Sequence, residues 1–145
     1  MFIEKIKHLF KVDHLSKPSR FSGKRILTID DEATQRTMIE RVLSKKGFLV
    51  STADNGLLGL DMANRQRPDL ILLDVLMPGM TGEKVCQKLK SNKITRDIPV
   101  IFLTSQDAPK EVIQHYELGA DIHLTKPVNA SELIQQVEIT LEEYS

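Results

Sequence analysis

From Lys24 onward the chain alternates short apolar runs with stretches whose apolar residues recur every three or four positions. Five runs read as strands: Arg25–Ile29, Phe48–Ala53, Leu70–Asp74, Val100–Thr104 and Asp121–Thr125. The third is the clearest. Leu70-Ile71-Leu72-Leu73 sets four consecutive aliphatics between Asp69 and Asp74, with no helical periodicity, as expected of a strand buried on both faces of a parallel sheet. Met77-Pro78-Gly79 then prevents the ladder from continuing, because Pro78 has no N–H to donate and Gly79 accepts a positive φ. Between the strands lie separate helical stripes. Met38, Ile39, Val42 and Leu43 form one, closed by Gly47; Leu57, Leu60 and Ala63 form the next, and Val85, Cys86 and Leu89 a third. Val112, Ile113 and Tyr116 form a fourth, closed by Gly119, and Leu133, Val137 and Leu141 a fifth, opened by the capping-box spacing Asn129-Ala130-Ser131-Glu132. Five strand–helix repeats predict an α/β domain with a parallel sheet covered on both faces and right-handed crossovers.

The first 23 residues follow a different pattern. Phe2, Ile3, Ile6, Leu9 and Phe10 recur at helical spacing with Lys5, Lys7 and Lys11 elsewhere, which predicts a basic amphipathic helix over residues 2–14. Residues 16–23 read as a linker, so the chain divides into an arm, 1–23, and a domain, 24–145. Such a helix suits packing on the body, homodimer formation, membrane-surface contact or partner docking, and its composition does not choose among them. Twenty basic and twenty acidic residues cancel over the 145-residue chain, but residues 1–25 hold seven basic and two acidic. The remainder is left acidic by five charges, which argues against nucleic-acid binding through the body. The lone Cys86 excludes an internal disulfide and reads as a small core residue. With no apolar run long enough to cross a bilayer and no signal-peptide pattern, a cytoplasmic location is expected.

Parallel topology carries a chemical consequence: all strand carboxyl ends emerge on one edge. There the first strand delivers Asp30-Asp31, the third Asp74, the fourth Thr104-Ser105 and the fifth Lys126-Pro127. Three crowded carboxylates repel one another, and a hard divalent cation with oxygen ligands, Mg²⁺, would relieve that repulsion. A carboxylate is also a competent nucleophile toward phosphorus if positive charge, here the metal and Lys126, offsets the phosphoryl anion. Thr104 could donate a hydrogen bond to a further phosphoryl oxygen. Taken singly, Asp30-Asp31 could be a turn and helix cap, and Lys126 a solvated loop lysine. His8, His14 and His115 have no ligand spacing.

Together, Asp30-Asp31, Asp74 with Met77-Pro78-Gly79, Thr104-Ser105 and Lys126-Pro127 resemble the signature of the receiver domain of two-component response regulators, over about residues 24–143. The resemblance implies a flavodoxin-like fold of strand order 2-1-3-4-5. It implies that Asp74 accepts a phosphoryl group from a histidine kinase or histidine phosphotransfer protein, with autodephosphorylation but no conventional enzymatic activity. Asp31, Asp74 and the backbone carbonyl of Leu76 would hold Mg²⁺, with Asp30 acting through the metal's water shell. Thr104 and Lys126 would engage phosphoryl oxygens, and Lys126-Pro127 would be a cis peptide. The family's usual aromatic three positions before the lysine is here His123, smaller and able to change charge near neutrality, which alters the expected switch between Thr104 and that position.

With only Glu142-Glu143-Tyr144-Ser145 after the last helix, a stand-alone receiver is expected, signalling to a downstream protein through the face of the fourth helix, fifth strand and fifth helix. A phosphorylation-independent interaction module acting through residues 2–14 is the alternative. A phosphatase or hydrolase of related fold would require an added general acid, and none is evident.

Overall fold

A computed structural model describes residues 17–104, Gly119 and residues 122–144. Five parallel strands, β1 (Arg25–Ile29), β2 (Leu49–Ala53), β3 (Leu70–Asp74), β4 (Val100–Thr104) and β5 (Ile122–Thr125), pair in the order β2-β1-β3-β4-β5. Among the described residues, four helices accompany them: α1 (Ala33–Lys45), α2 (Gly56–Gln66), α3 (Gly82–Lys90) and α4 (Ala130–Glu143). This is the flavodoxin-like order, in which the strand sequence reverses between β1 and β3. The arm helix expected over residues 2–14, the stripe Val112-Ile113-Tyr116 and Asp121 lie outside the described residues.

Alternation along the strands sorts the aliphatic runs into two cores. Leu27, Ile29, Ile71, Leu73, Val100 and Phe102 face α2 and α3, burying Ala63, Val85, Cys86 and Leu89. Ile26, Leu70, Leu72, Ile101, Leu103 and Leu124 face α1 and α4, against Ile39, Leu43, Leu133, Val137 and Leu141. Every residue of β3 and β4 is buried, as strands covered on both faces must be. Phe48, expected to start β2, instead precedes it and is buried in the second core.

In α2 the expected stripe holds at Ala63, which is buried, and Leu60, which packs on the first core, but not at Leu57. The helix's buried positions are Gly56, Gly59 and Ala63, while Leu57 is 70% exposed. The reason is close approach: a Cβ on Gly59 would collide with Ile29, and one on Gly56 with Val85. The glycines bring α2 onto the sheet along the face that lacks side chains, which turns Leu57 outward. The other helices use their apolar stripes, and Asn129 caps α4 by accepting from the Glu132 N–H at 3.1 Å.

Residues 18–23, read as part of a linker, run along the groove between α1 and α4. Ser19 is buried; its N–H donates to Lys46 O at 2.8 Å and its hydroxyl to Glu138 Oε2 at 2.7 Å. Gly23 N–H donates to Gly47 O at 2.8 Å, Phe21 packs against the second core, and Arg20 pairs with Glu142 at 3.2 Å. No helix of the described residues is long and apolar enough to cross a membrane.

Candidate functional site

The carboxyl edge of the sheet gathers its acids because β1 and β3 are neighbours in register, Ile29 opposite Leu73. Each strand then releases its carboxylates at the same level. Carboxylate oxygens of Asp30, Asp31 and Asp74 lie within 4.8 Å of one another. Asp30 and Asp74 are buried and Asp31 is exposed, so the cluster meets solvent on the Asp31 side. Lys126 reaches in from the end of β5, its Nζ 3.0 Å from Asp74 Oδ1 and 3.4 Å from Asp30 Oδ2.

Four local features hold these groups. Lys126 N–H donates to Thr104 O at 2.7 Å, tying the loop after β5 to the end of β4, and the Lys126-Pro127 peptide is cis. Gly82 N–H donates to Val75 O at 3.0 Å, and a Cβ on Gly82 would run into the Asp74 carbonyl, so α3 starts hard against the end of β3. Between them the β3–α3 loop exposes Leu76, buries Met77 and turns at Gly79 with φ +78. Asp30 is fixed by its own turn: its Oδ1 accepts from Glu32 N–H at 2.9 Å, and its backbone carbonyl accepts from Arg36 Nη1 at 2.8 Å.

The charges are out of balance. Burial pushes the Asp74 carboxyl up from 3.8 to about 6; the hydrogen bond from Lys126 opposes this without cancelling it, while Asp30 and Asp31 add to the rise. For Lys126, burial works against the charged form, but the hydrogen bond to Asp74 and the charges of Asp30 and Asp74 outweigh it and raise its pKa. The two directions are compatible. One ammonium faces three carboxyl groups, enough to keep itself charged and too little to neutralise them. Among the described residues Asp30 Oδ2 is buried and accepts no hydrogen bond, with Lys126 Nζ at ion-pair distance. An unfilled buried acceptor beside a compact all-oxygen donor set fits a hard divalent cation such as Mg²⁺.

Thr104 is buried at the end of β4, opposite Thr125 of β5. Phe102 and His123 are paired two residues earlier, their ring centroids 5.9 Å apart, so His123 shares with Thr104 one face of the β4–β5 ladder. Ser105 lies outside the described residues.

The family model for the response regulator receiver domain matches residues 26–138. The chain belongs to the response regulator receiver domain family. Among relatives of this receiver, response regulator PleD of Caulobacter vibrioides is 45% identical over 113 residues, covering 78% of this chain and 25% of that protein. The phosphate regulon transcriptional regulatory protein PhoB of Pseudomonas aeruginosa is 39% identical over 119 residues, 82% of this chain and 52% of its own. The receiver therefore spans about a quarter to a half of these curated relatives. A solved structure of a putative response regulator from Chloroflexus aurantiacus superposes with a TM-score of 0.80 at 31% identity, covering 83% of this chain and 99% of that one.

Arg36 is the site contact that sequence reading missed. Its position six residues after Asp30, in the first turn of α1, is the signal that a basic side chain there can fold back over the strand end.

Proposed function

We propose that this receiver takes a phosphoryl group onto Asp74 from a histidine kinase or histidine phosphotransfer protein and signals by phosphorylation-dependent contact with a downstream protein. The observation that carries the reading is the single constellation at the sheet edge: a buried carboxylate with Lys126 at 3.0 Å and two further acids within 4.8 Å. Asp31, Asp74 and the Leu76 carbonyl would hold Mg²⁺, with Asp30 acting through its water shell. Bound there, the cation supplies positive charge that lowers the repulsion between carboxylate and phosphoryl group.

The chain's own residues do the rest by position and charge. Asp74 Oδ attacks phosphorus in line; the O–P bond forms as the P–N bond to the donor histidine breaks, and the leaving nitrogen keeps the electron pair and is protonated from solvent. Lys126 transfers its ammonium contact from the Asp74 carboxylate to a phosphoryl oxygen. Thr104 donates its hydroxyl to another, and His123, on the same face of the ladder, moves with it and carries the change to the outer strand β5. Hydrolysis of the acyl phosphate by water returns the receiver to rest, a self-limiting step with no other substrate.

The test is phosphotransfer from a radiolabelled histidine-phosphorylated donor. Label should pass to the wild-type receiver with Mg²⁺, in an acid-stable and base-labile form, and should not pass to Asp74→Asn; equal labelling of the two proteins would refute the assignment.

A further inference from the structure

Asp30 leaves the sheet with its backbone held in two different ways. Its N–H donates to Ala53 O at 3.1 Å, the last rung toward β2. Its carbonyl has passed the final β1–β3 pair, Ile29 with Leu73, and the donor that reaches it is a side chain, Arg36 Nη1 at 2.8 Å. That carbonyl belongs to the peptide unit whose N–H is Asp31's. The orientation of this peptide plane sets the direction in which the Asp31 side chain departs. Asp31 is the exposed acid of the three, so its aim depends on the backbone more than on surrounding packing.

We propose that Arg36 is a positioning residue of the acidic cluster: by gripping the Asp30 carbonyl it fixes the Asp30–Asp31 peptide and aims the Asp31 carboxylate at Asp74. For the metal, this rests on the Mg²⁺ site proposed above. Charge alone would act in the opposite sense, which makes the role testable. A guanidinium held at the Asp30 carbonyl, beside the acidic cluster, competes with a divalent cation, so a purely electrostatic Arg36 would weaken cation binding and its removal would tighten it. A positioning Arg36 has the reverse effect: its removal releases the peptide and weakens binding, as the loss of partners that orient metal ligands generally does.

The full chain, Arg36→Met and Arg36→Lys are compared in two measurements. Without metal, amide hydrogen exchange followed by NMR reads the Glu32 N–H, which donates to Asp30 Oδ1 within the same turn. It should exchange about tenfold faster in Arg36→Met, while the Leu43 amide in α1 keeps its protection, and Arg36→Lys, which retains a cationic donor, should restore most of the slow exchange. With Mg²⁺, calorimetric titration should show about tenfold weaker binding in Arg36→Met and substantial recovery in Arg36→Lys. Unchanged Glu32 exchange, equal acceleration at Leu43, or unaltered or tighter Mg²⁺ binding in Arg36→Met would overturn the proposal. Failure of the wild type to bind Mg²⁺ at millimolar concentration would instead sink the metal site under Proposed function, and the exchange measurement would still decide Arg36.

Discussion

The two edges of the sheet solve the same problem in opposite ways. At the amino edge the chain brings Ser19, Gly23, Lys24 and Arg25 against Lys46, Gly47, Leu49 and Asp69, and nearly all of the contact is backbone hydrogen bonding between neutral groups. Arg25 N–H even finds the Asp69 carboxylate at 2.8 Å while Asp69 N–H returns to Arg25 O at the same distance. At the carboxyl edge, acids meet acids, a buried carboxylate oxygen lacks a hydrogen bond, and Asp74 is pushed toward its protonated form. One edge is closed and satisfied. The other is held in tension by the core beneath it, with like charges crowded where burial shifts a carboxyl's pKa, as functional sites commonly have them.

Substitutions should separate the two edges by size, sign and response to Mg²⁺. The largest effect is expected at Gly82→Ala, where the new Cβ collides with the Asp74 carbonyl and no flexible side chain can yield. Denaturant unfolding should show a loss of about 3 kcal/mol, together with weakened Mg²⁺ binding because the end of β3 must shift.

Asp74→Asn should move stability the other way. A carboxyl whose folded pKa is raised contributes most below its unfolded value, here 3.8, and loses that contribution as pH rises through about 6. The metal-free wild type should therefore become less stable between pH 4 and pH 7, and the asparagine variant, which cannot ionise, should be more stable by about 1–3 kcal/mol at pH 8. The same proton competes with the cation. Wild-type Mg²⁺ affinity should hold above pH 7 and fall by up to about tenfold per unit below pH 6, readable by titration calorimetry.

At the amino edge the effects are smaller and blind to metal. Ser19→Ala removes the hydroxyl that donates to Glu138 and accepts from Phe21 N–H at 3.1 Å, and should cost about 1 kcal/mol with Mg²⁺ affinity unchanged. Arg20→Ala breaks an exposed ion pair with Glu142 and should change thermal stability by no more than about 0.5 kcal/mol, less still in high salt. A metal-dependent effect of Ser19→Ala would erase the contrast between the edges.

What the sequence made legible follows the same division. The strands were readable because β3 and β4 are covered on both faces and so carry continuous apolar runs, with β1 interrupted only by the buried Thr28 after Arg25, and parallel topology then brings Asp30, Asp31, Asp74 and Lys126 together without further information. Leu57 misled because a helix that packs through Gly56 and Gly59 shows its contact face by absent side chains, which a hydrophobic stripe cannot register. The docking of residues 18–23 was hidden for a related reason. A Pro-Ser-Arg-Phe-Ser-Gly sequence looks solvated, yet backbone amides, one buried hydroxyl and the Phe21 ring hold it in the α1–α4 groove. Arg36 was hidden because its target is a carbonyl, and main-chain acceptors have no letter in the sequence.

The role proposed for the acidic cluster is to make Asp74 a phosphoacceptor. It is tested most directly by treating the receiver with a small acyl-phosphate donor with and without Mg²⁺, and mapping the modified residue by mass spectrometry. A single Mg²⁺-dependent adduct on Asp74, lost on brief alkaline treatment, is the result expected. An adduct elsewhere, or none on Asp74 with the fold intact and the metal present, would contradict the account.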